Sequence, residues 1–575
     1  MSLNAQKDGH KYFPGELKRH LIQQFFLRAL ISVFSTSYVH PDEYFQSLEV
    51  TNKLFFDFET YIPWEFRSEN ALRTIISPIL VSGVPYFFGY FLNFIHNGWY
   101  LLIAPKIQLV VLSLSIDVIG YRIHRKFVNE AEESNVATKG NISGSSSGET
   151  LLRLFSTSWS VLVFYSRPFS NTLEAFCLVY SLGVYLLCDT GMMKRCLLGF
   201  LLAFGVFTRF TFIAFFLPIG ISLLMDSYYI SSRQNIQTDM DSDRGDNGST
   251  IWSFLVALSQ CVIGSVFGTI LNISMDSLYY DGNFTITPLN NALYNMKSEN
   301  LAKHGLHPRY LHLVVNLPML CGPLALYIYY HGAWNLLGSN SAMDKRLIKS
   351  TRKTIYQYQS FDINRLLVSC VCSGLGILSL APHQEPRFLL PLVFPVLLYC
   401  SINIDRERQR KTKMKKCNSS RRWQIVWLLF NAALFTLFGV FHQAGVLRAL
   451  NHASTTSIAN GRPRDLIFFH TYMPPRFMLV NQVPKGNKYI NLIDLNGKNV
   501  EELLETIASV QKNRTGRKTW IVAPASLHIE EETLIKNYFV SNRIHLNIET
   551  SFSPHISMED IPSKASDLAL TIYSF

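Results

Sequence analysis

Apolar segments long enough to be helical recur along this chain from about residue 21 to about residue 445. The polar stretches between them alternate between two kinds. One kind is basic, such as 122–126, 345–353 and 406–416; the other gathers His, Glu, Arg and Asn, as at 40–46, 167–174, 304–312 and 383–387. About twenty apolar residues in a row fit the hydrocarbon core of a bilayer, where the backbone satisfies its own polar groups as helix. The sequence therefore predicts an α-helical polytopic membrane protein. Composition agrees: 16% of residues are charged, against about a quarter in soluble domains. A net charge of +12 would suggest a nucleic-acid partner in a soluble chain. Here the basic residues sit in short loops on one side, the positive-inside pattern, and no nucleic-acid partner is expected.

Sorting the loops by charge orders the spans. Residues 1–20 carry Lys7, Lys11, Lys18 and Arg19 and are expected in the cytoplasm. Segment 21–37 reads as a signal anchor rather than a cleaved leader, with Arg28 turned toward protein because an arginine facing lipid is costly. Segment 75–96 is broken by Pro78, Gly83, Pro85 and Gly89. If it crossed the bilayer, the cluster Arg122–Lys126 would land on the wrong side, so it is expected to be interfacial or re-entrant. Spans are expected at 99–120, 151–165, 175–190, 251–274, 311–331, 362–380, 388–404 and 424–442, with a hairpin of 196–207 and 211–226 whose tip is Thr208-Arg209. With the first segment the total is about 11 transmembrane helices, within a range of about 10–12. The polar stretch 227–250 reads as disordered.

Three domains follow: a cytoplasmic N-terminus 1–20, a transmembrane domain 21–445 whose first luminal loop is 38–98, and a luminal C-terminal domain 446–575. The last reads as a small mixed α/β unit. Strands are expected at 465–470 and 520–523, and an amphipathic helix at 499–512. The junction His470-Thr471-Tyr472-Met473-Pro474-Pro475-Arg476 reads as a rigid turn or a substrate contact.

Eight of the nine cysteines lie in or at the ends of apolar segments, and the C-terminal region has none, so no disulfide framework is expected. The acidic run Asp239-Met240-Asp241-Ser242-Asp243 reads as a solvated cytoplasmic loop. Phosphate-loop, dinucleotide and zinc-finger spacings are missing. The sequons at Asn283 and Asn513 face the lumen and are glycosylation candidates.

The chemistry concentrates at His40-Pro41-Asp42-Glu43, directly after the first apolar segment. Two carboxylates, a histidine and a stiffening proline at a membrane-proximal turn suit a general-base site. The same residues could equally cap and solvate a helix start.

Four separated motifs carry a resemblance: His40 to Gln46, Trp64-Glu65-Phe66-Arg67 with Leu72-Arg73, Arg167-Pro168-Phe169-Ser170-Asn171, and His383-Gln384-Glu385-Pro386-Arg387 running on to Pro391. Over roughly 20–445 the chain resembles glycosyltransferase family 22. These are GT-C-fold mannosyltransferases that use dolichyl-phosphate mannose in the endoplasmic reticulum. The stretches 300–310 and 470–476 look most like the branch that adds the fourth mannose to glycosylphosphatidylinositol (GPI) precursors. Relatives usually carry a basic residue where this chain has Gln384.

The resemblance implies an inverting α-1,2-mannosyltransferase acting on the third mannose of a GPI precursor at the luminal face, with no cofactor and no metal. It implies Asp42 as general base, supported by Glu43 and His40. Candidate substrate-binding residues are His40, Gln46, Glu65, Arg67, Arg73, Arg167, Asn171, His304, His307, Arg309, His383, Glu385 and Arg387. The partners implied are the two lipid substrates and the membrane; protein partners are not indicated. Two alternatives stand beside this reading: another member of the same family, acting on the third GPI mannose or the N-glycan precursor, and more distantly a lipid transporter or membrane scaffold.

Overall fold

An arginine in an apolar helix needs a counter-charge, and Arg28 finds one. The computed structural model describes residues 15–133, 148–238, 247–297, 299, 305–337, 362–411, 419–460, 464–482, 490–512 and 518–575. In it, helix Gly15–Phe34 packs on helix Gly98–Glu133. Arg28 is fully buried between them and donates to Ser113 Oγ at 2.9 Å and Asp117 Oδ1 at 3.1 Å. Arg28 thus faces protein, as the cost of lipid exposure demands.

Five helices among the described residues are long and apolar enough to cross a membrane: Gly98–Val128, Ser170–Leu187, Ile251–Tyr279, Pro386–Arg408 and Arg422–Phe441. The chain is a multi-pass membrane protein. Ser170–Leu187 and Pro386–Arg408 are each 78% buried and form the centre of the bundle, whereas Ile251–Tyr279 and Arg422–Phe441 are each 17% buried and form its rim. Shorter apolar helices, Phe212–Tyr228, His312–Cys321 and Ile363–Ser379, fill in between. One crossing is set by glycine. A Cβ on Gly199 would lie 1.9 Å from the Cys261 carbonyl oxygen, and one on Gly264 would lie 1.8 Å from that of Cys196. Small residues let two helices meet backbone to backbone in the membrane.

Two local expectations are revised. Residues 151–165 form two short helices, Glu149–Thr157 and Trp159–Phe164, rather than one span. Ser158 is extended between them, and the freed Trp159 N–H donates to Asn431 Oδ1 at 2.8 Å. Residues 227–238 continue the helix Phe212–Thr238 instead of forming disordered loop; 239–246, with the whole acidic run, lie outside the described residues. Segment 75–96 forms a helical stretch, Ile76–Phe91, that turns back at once into Gly98–Glu133. The two run antiparallel side by side: Tyr86 Oη donates to Leu101 O at 2.9 Å, and Gln108 Nε2 donates to Leu80 O.

After helix Gly445–Asn460 the chain builds a five-stranded sheet. Strands β1 Arg464–Phe469, β2 Ile490–Leu495, β3 Lys518–Pro524, β4 Asn547–Phe552 and β5 Leu570–Ser574 lie in the order β2-β1-β3-β5-β4. β1 is parallel to β2 and β3; β5 is antiparallel to β3 and β4. All six residues of β1 are buried, and its apolar run Leu466–Phe469 is what a central strand covered on both faces should carry. One face of the sheet packs on helices Val500–Lys512 and Ile529–Ser541. The other packs on Gly445–Asn460 and on the stretch after the first helix, so Tyr38, Tyr44, Phe45, Leu48, Leu466 and Trp520 share one core.

Candidate active site

Pro41 precedes the short helix Asp42–Phe45, at a position where its missing N–H costs nothing. The His40 ring caps the same turn by accepting the Asp42 N–H at Nδ1, 3.1 Å away. The turn sends the two neighbouring acids in opposite directions. Glu43 is fully buried; Arg167 Nη1 donates to both its oxygens at 2.9 Å, and Lys106 Nζ lies 3.6 Å away. Arg167 is filled further by Ser37 O at 2.7 Å and Ser37 Oγ at 2.5 Å. Asp42 instead keeps 24% of its side chain exposed. Its Oδ2 accepts from Gln46 Nε2 at 2.7 Å and from Arg387 Nη1. Among the described residues its Oδ1 has only His40 Nδ1 nearby, at 3.7 Å.

Around Asp42 the separated motifs meet. Arg387 also bonds Glu385 through Nε, and His383 Nε2 contacts Glu385 Oε1 at 2.8 Å. Glu65 accepts from Gln46 Nε2 and from Arg73 Nη2, each at 3.0 Å. Ser170 Oγ donates to Gln46 Oε1 at 3.1 Å and accepts from Arg209 Nη1 at 3.2 Å. His307 accepts the Gln384 N–H at Nδ1, 3.2 Å away, and its ring centre lies 5.6 Å from that of His383. The turns at 40–46, 65–73, 170, 209, 307 and 383–387 thus form one polar layer at one end of the bundle.

The layer holds its charges unevenly. Burial pushes the Asp42 carboxyl up, but Arg387 and His40 outweigh it and leave the group below its ordinary value. Burial likewise raises Glu385, and Arg387 and His383 more than reverse that, holding it well below the usual carboxylate range. The hydrogen bond it donates to Glu385 raises His383, whereas burial, followed by Arg387, lowers His40. Asp42 is therefore a partly open carboxylate held low chiefly by Arg387, beside an imidazole whose charged form burial disfavours.

The sequence candidates divide accordingly. Asp42, His40, Gln46, Glu65, Arg73, His383, Glu385, Arg387 and His307 come together. Glu43, Arg167 and Asn171 are sealed beneath the layer. Arg67 is 47% exposed and faces Glu69, and Arg309 is exposed, its carbonyl accepting from Gln384. His304 and Asn513 lie outside the described residues; Asn283 is exposed. The unusual Gln384 is a buried strut. Its Oε1 accepts the His312 N–H at 2.9 Å, and its Nε2 donates to the carbonyls of Arg309, Ser379 and Ala381.

Sequence reasoning gave no site role to Lys106, to Glu174 or to Arg209 at its hairpin tip, and placed Tyr472 only within the 470–476 junction read as a turn or a substrate contact. Arg209 Nε sits 3.3 Å from Glu174 Oε2, beside the layer. A lone arginine between two apolar runs was its signal. The ring of Tyr472 lies 6.3 Å from that of His40, and Met473 O accepts from Tyr38 Oη at 3.1 Å. Glu49 explains the tail of that motif: its carboxylate accepts the N–H groups of Tyr61 at 2.9 Å, of Phe477 at 3.2 Å and of Arg476.

A bundle with one polar, charge-paired layer at its end defines a membrane enzyme of the kind the motifs resemble. The sequence pattern of the Alg9-like mannosyltransferase family matches residues 21–481, and the chain belongs to that family. It is 30% identical to GPI mannosyltransferase 4 of Eremothecium gossypii, over 92% of this chain and 97% of that one. It is 27% identical to GPI alpha-1,2-mannosyltransferase 4 of Homo sapiens, over 93% of this chain and 88% of that one. Among solved structures it is similar to ArnT from Cupriavidus metallidurans bound to undecaprenyl phosphate, at 10% identity and a TM-score of 0.46, covering 97% of this chain and 98% of that one.

Proposed function

We propose that the protein transfers an α-1,2-linked mannose from dolichyl-phosphate mannose to the third mannose of a GPI precursor, at the luminal face of the endoplasmic reticulum membrane. The observation that carries this reading is Asp42. Its Oδ2 is fixed by Arg387 and Gln46, while Oδ1 stays accessible and unbonded in a layer assembled from the family's separated motifs. The acceptor hydroxyl oxygen attacks the anomeric carbon as its proton passes to Asp42 Oδ1. The bond from that carbon to the phosphate oxygen breaks, and dolichyl phosphate leaves with the electron pair. One displacement inverts the configuration, from β in the donor to α in the product. A positioned base contributes about 10²–10⁴ in rate.

The departing phosphate gains charge, which fixed donors stabilise without reorganising. Arg387, Arg73, Arg209 and His383 are the cations placed for that. Glu43, with Arg167 and Lys106, sets the turn that aims Asp42 and does not touch substrate. We expect the transfer to need no metal, because Arg387 pairs with both Asp42 and Glu385, and His383 with Glu385, where an ion would have to bind. About eleven crossings fit this arrangement, the shorter and broken helices completing the five long ones.

The test is a reconstituted assay in which dolichyl-phosphate mannose is offered with GPI lipids carrying two or three mannoses and with N-glycan precursors. Extension of the three-mannose lipid alone, into an α-1,2 product, is expected. Extension of another acceptor instead assigns a different acceptor within the family. Dialysis against EDTA, followed by assay well below the unfolding temperature, should leave turnover unchanged; loss restored by magnesium or manganese would refute the metal-free step.

A further inference from the structure

The junction at His470 reads from sequence as a turn, but in the structure it also gathers ligands. His470 ends the central strand β1, Glu531 lies in the first turn of helix Ile529–Ser541, and Asp560 comes from the segment before β5. Ligand atoms of all three lie within 4.8 Å of one another. Asp560 Oδ2 is 2.8 Å from His470 Nδ1, and Glu531 Oε1 is 3.7 Å from His470 Nε2. A protonated His470 bridging the two acids would account for those contacts. It leaves one charge and two atoms unexplained. Asp560, 1% exposed, keeps Oδ1 shut away from solvent with no hydrogen-bond donor among the described residues, and so does Glu531 with Oε2. Such atoms normally have a partner. His528 stands at the rim, its Nε2 3.7 Å from the orphaned Asp560 Oδ1.

We propose that His470, Glu531 and Asp560, completed by His528, hold a structural zinc ion. Two carboxylates and two imidazoles form a borderline nitrogen and oxygen set that suits zinc in tetrahedral geometry. A dication balances both acids and occupies the space that the orphaned oxygens face. It ties β1 to helix Ile529–Ser541 and to the 553–569 segment. It also fixes the start of the stretch that ends with Tyr472 beside His40 and Tyr38. The ion is remote from Asp42 in role and takes no part in transfer.

The experiment uses the full-length protein in detergent, equilibrated with buffered zinc and desalted. Metal analysis is expected to give one zinc per chain, and cobalt(II) in its place should give the visible bands of a tetrahedral site. Asp560→Asn and Glu531→Gln, the latter on a partly exposed helix start, should each weaken binding by at least the roughly 10- to 100-fold that loss of an outer-shell partner costs. EDTA should lower the melting temperature of the wild type and leave that of Asp560→Asn unmoved. Less than a tenth of an equivalent of zinc on the folded wild type would overturn the site and leave the protonated bridge. Stoichiometric zinc that survives in both folded variants would overturn it equally.

Discussion

Arg387 reaches Asp42 and Glu385 from the first turn of a central helix, so its charge governs how the carboxylate titrates. Removing that cation takes away the largest effect that opposes burial, and the Asp42 pKa must rise. Arg387→Gln is therefore expected to move the acid limb of the kcat/KM–pH profile toward neutrality, besides lowering the rate; an unmoved limb in an active variant would detach Arg387 from Asp42. The buried neighbour behaves differently. Glu43→Gln strands the Arg167 and Lys106 charges without their anion, a loss on the order of 3–5 kcal/mol for a broken buried pair. Its expected signature is poor yield and a low melting temperature, partly recovered by adding Arg167→Met, read by fluorescence-detected thermal unfolding in detergent. At this scale the sequence was half legible. A turn of His, Pro, Asp and Glu announces chemistry, but the pattern cannot say that Asp42 opens outward while Glu43 turns into Arg167. Lys106 was invisible for a related reason: one lysine in an apolar run reveals nothing of the Glu43 that neutralises it.

Helix packing and loop docking rest on contacts that periodicity does not carry. Gly199→Val or Gly264→Val places side-chain atoms where a carbonyl oxygen already stands, and either change is expected to separate Met192–Thr208 from Asn247–Tyr279 and lower the melting temperature sharply. The clamp at Glu49 adds a pH dependence. Burial pushes its carboxyl up to about 7 despite the N–H donors of Tyr61, Phe477 and Arg476. A folded pKa above the unfolded value of about 4.3 means that this contribution is complete below that value and is lost as pH rises through about 7, at about 1.4 kcal/mol per unit. The melting temperature should thus rise from pH 8 to pH 6 in the wild type and be flatter in Glu49→Gln; equal slopes would contradict the clamp. Sequence placed the strands at 465–470 and 520–523 and the helix at 499–512 because each has its own period. It missed the break at Ser158, where the decisive partner, Asn431, is distant in the chain.

For the whole molecule, the sorting of basic loops from His-, Glu- and Arg-rich turns is the feature that predicts orientation, since charge bias records the side on which a loop resides. The structure gathers those turns into one layer and adds the sheet against the same end, sharing a core with Tyr38 and Tyr44. That sharing could not be read from either segment alone. A luminal site requires Asn283, exposed near the end of helix Asn247–Tyr279, to lie in the lumen. It should carry an endoglycosidase-sensitive glycan lost in Asn283→Gln, and a cytoplasmic position found by protease protection would reverse the orientation. The most direct measurement is turnover of purified Asp42→Asn with dolichyl-phosphate mannose and the three-mannose GPI lipid. The expected result is a fall of about 10²–10⁴-fold with an unchanged melting temperature. A folded variant that turns over at the wild-type rate would show that Asp42 is not the base.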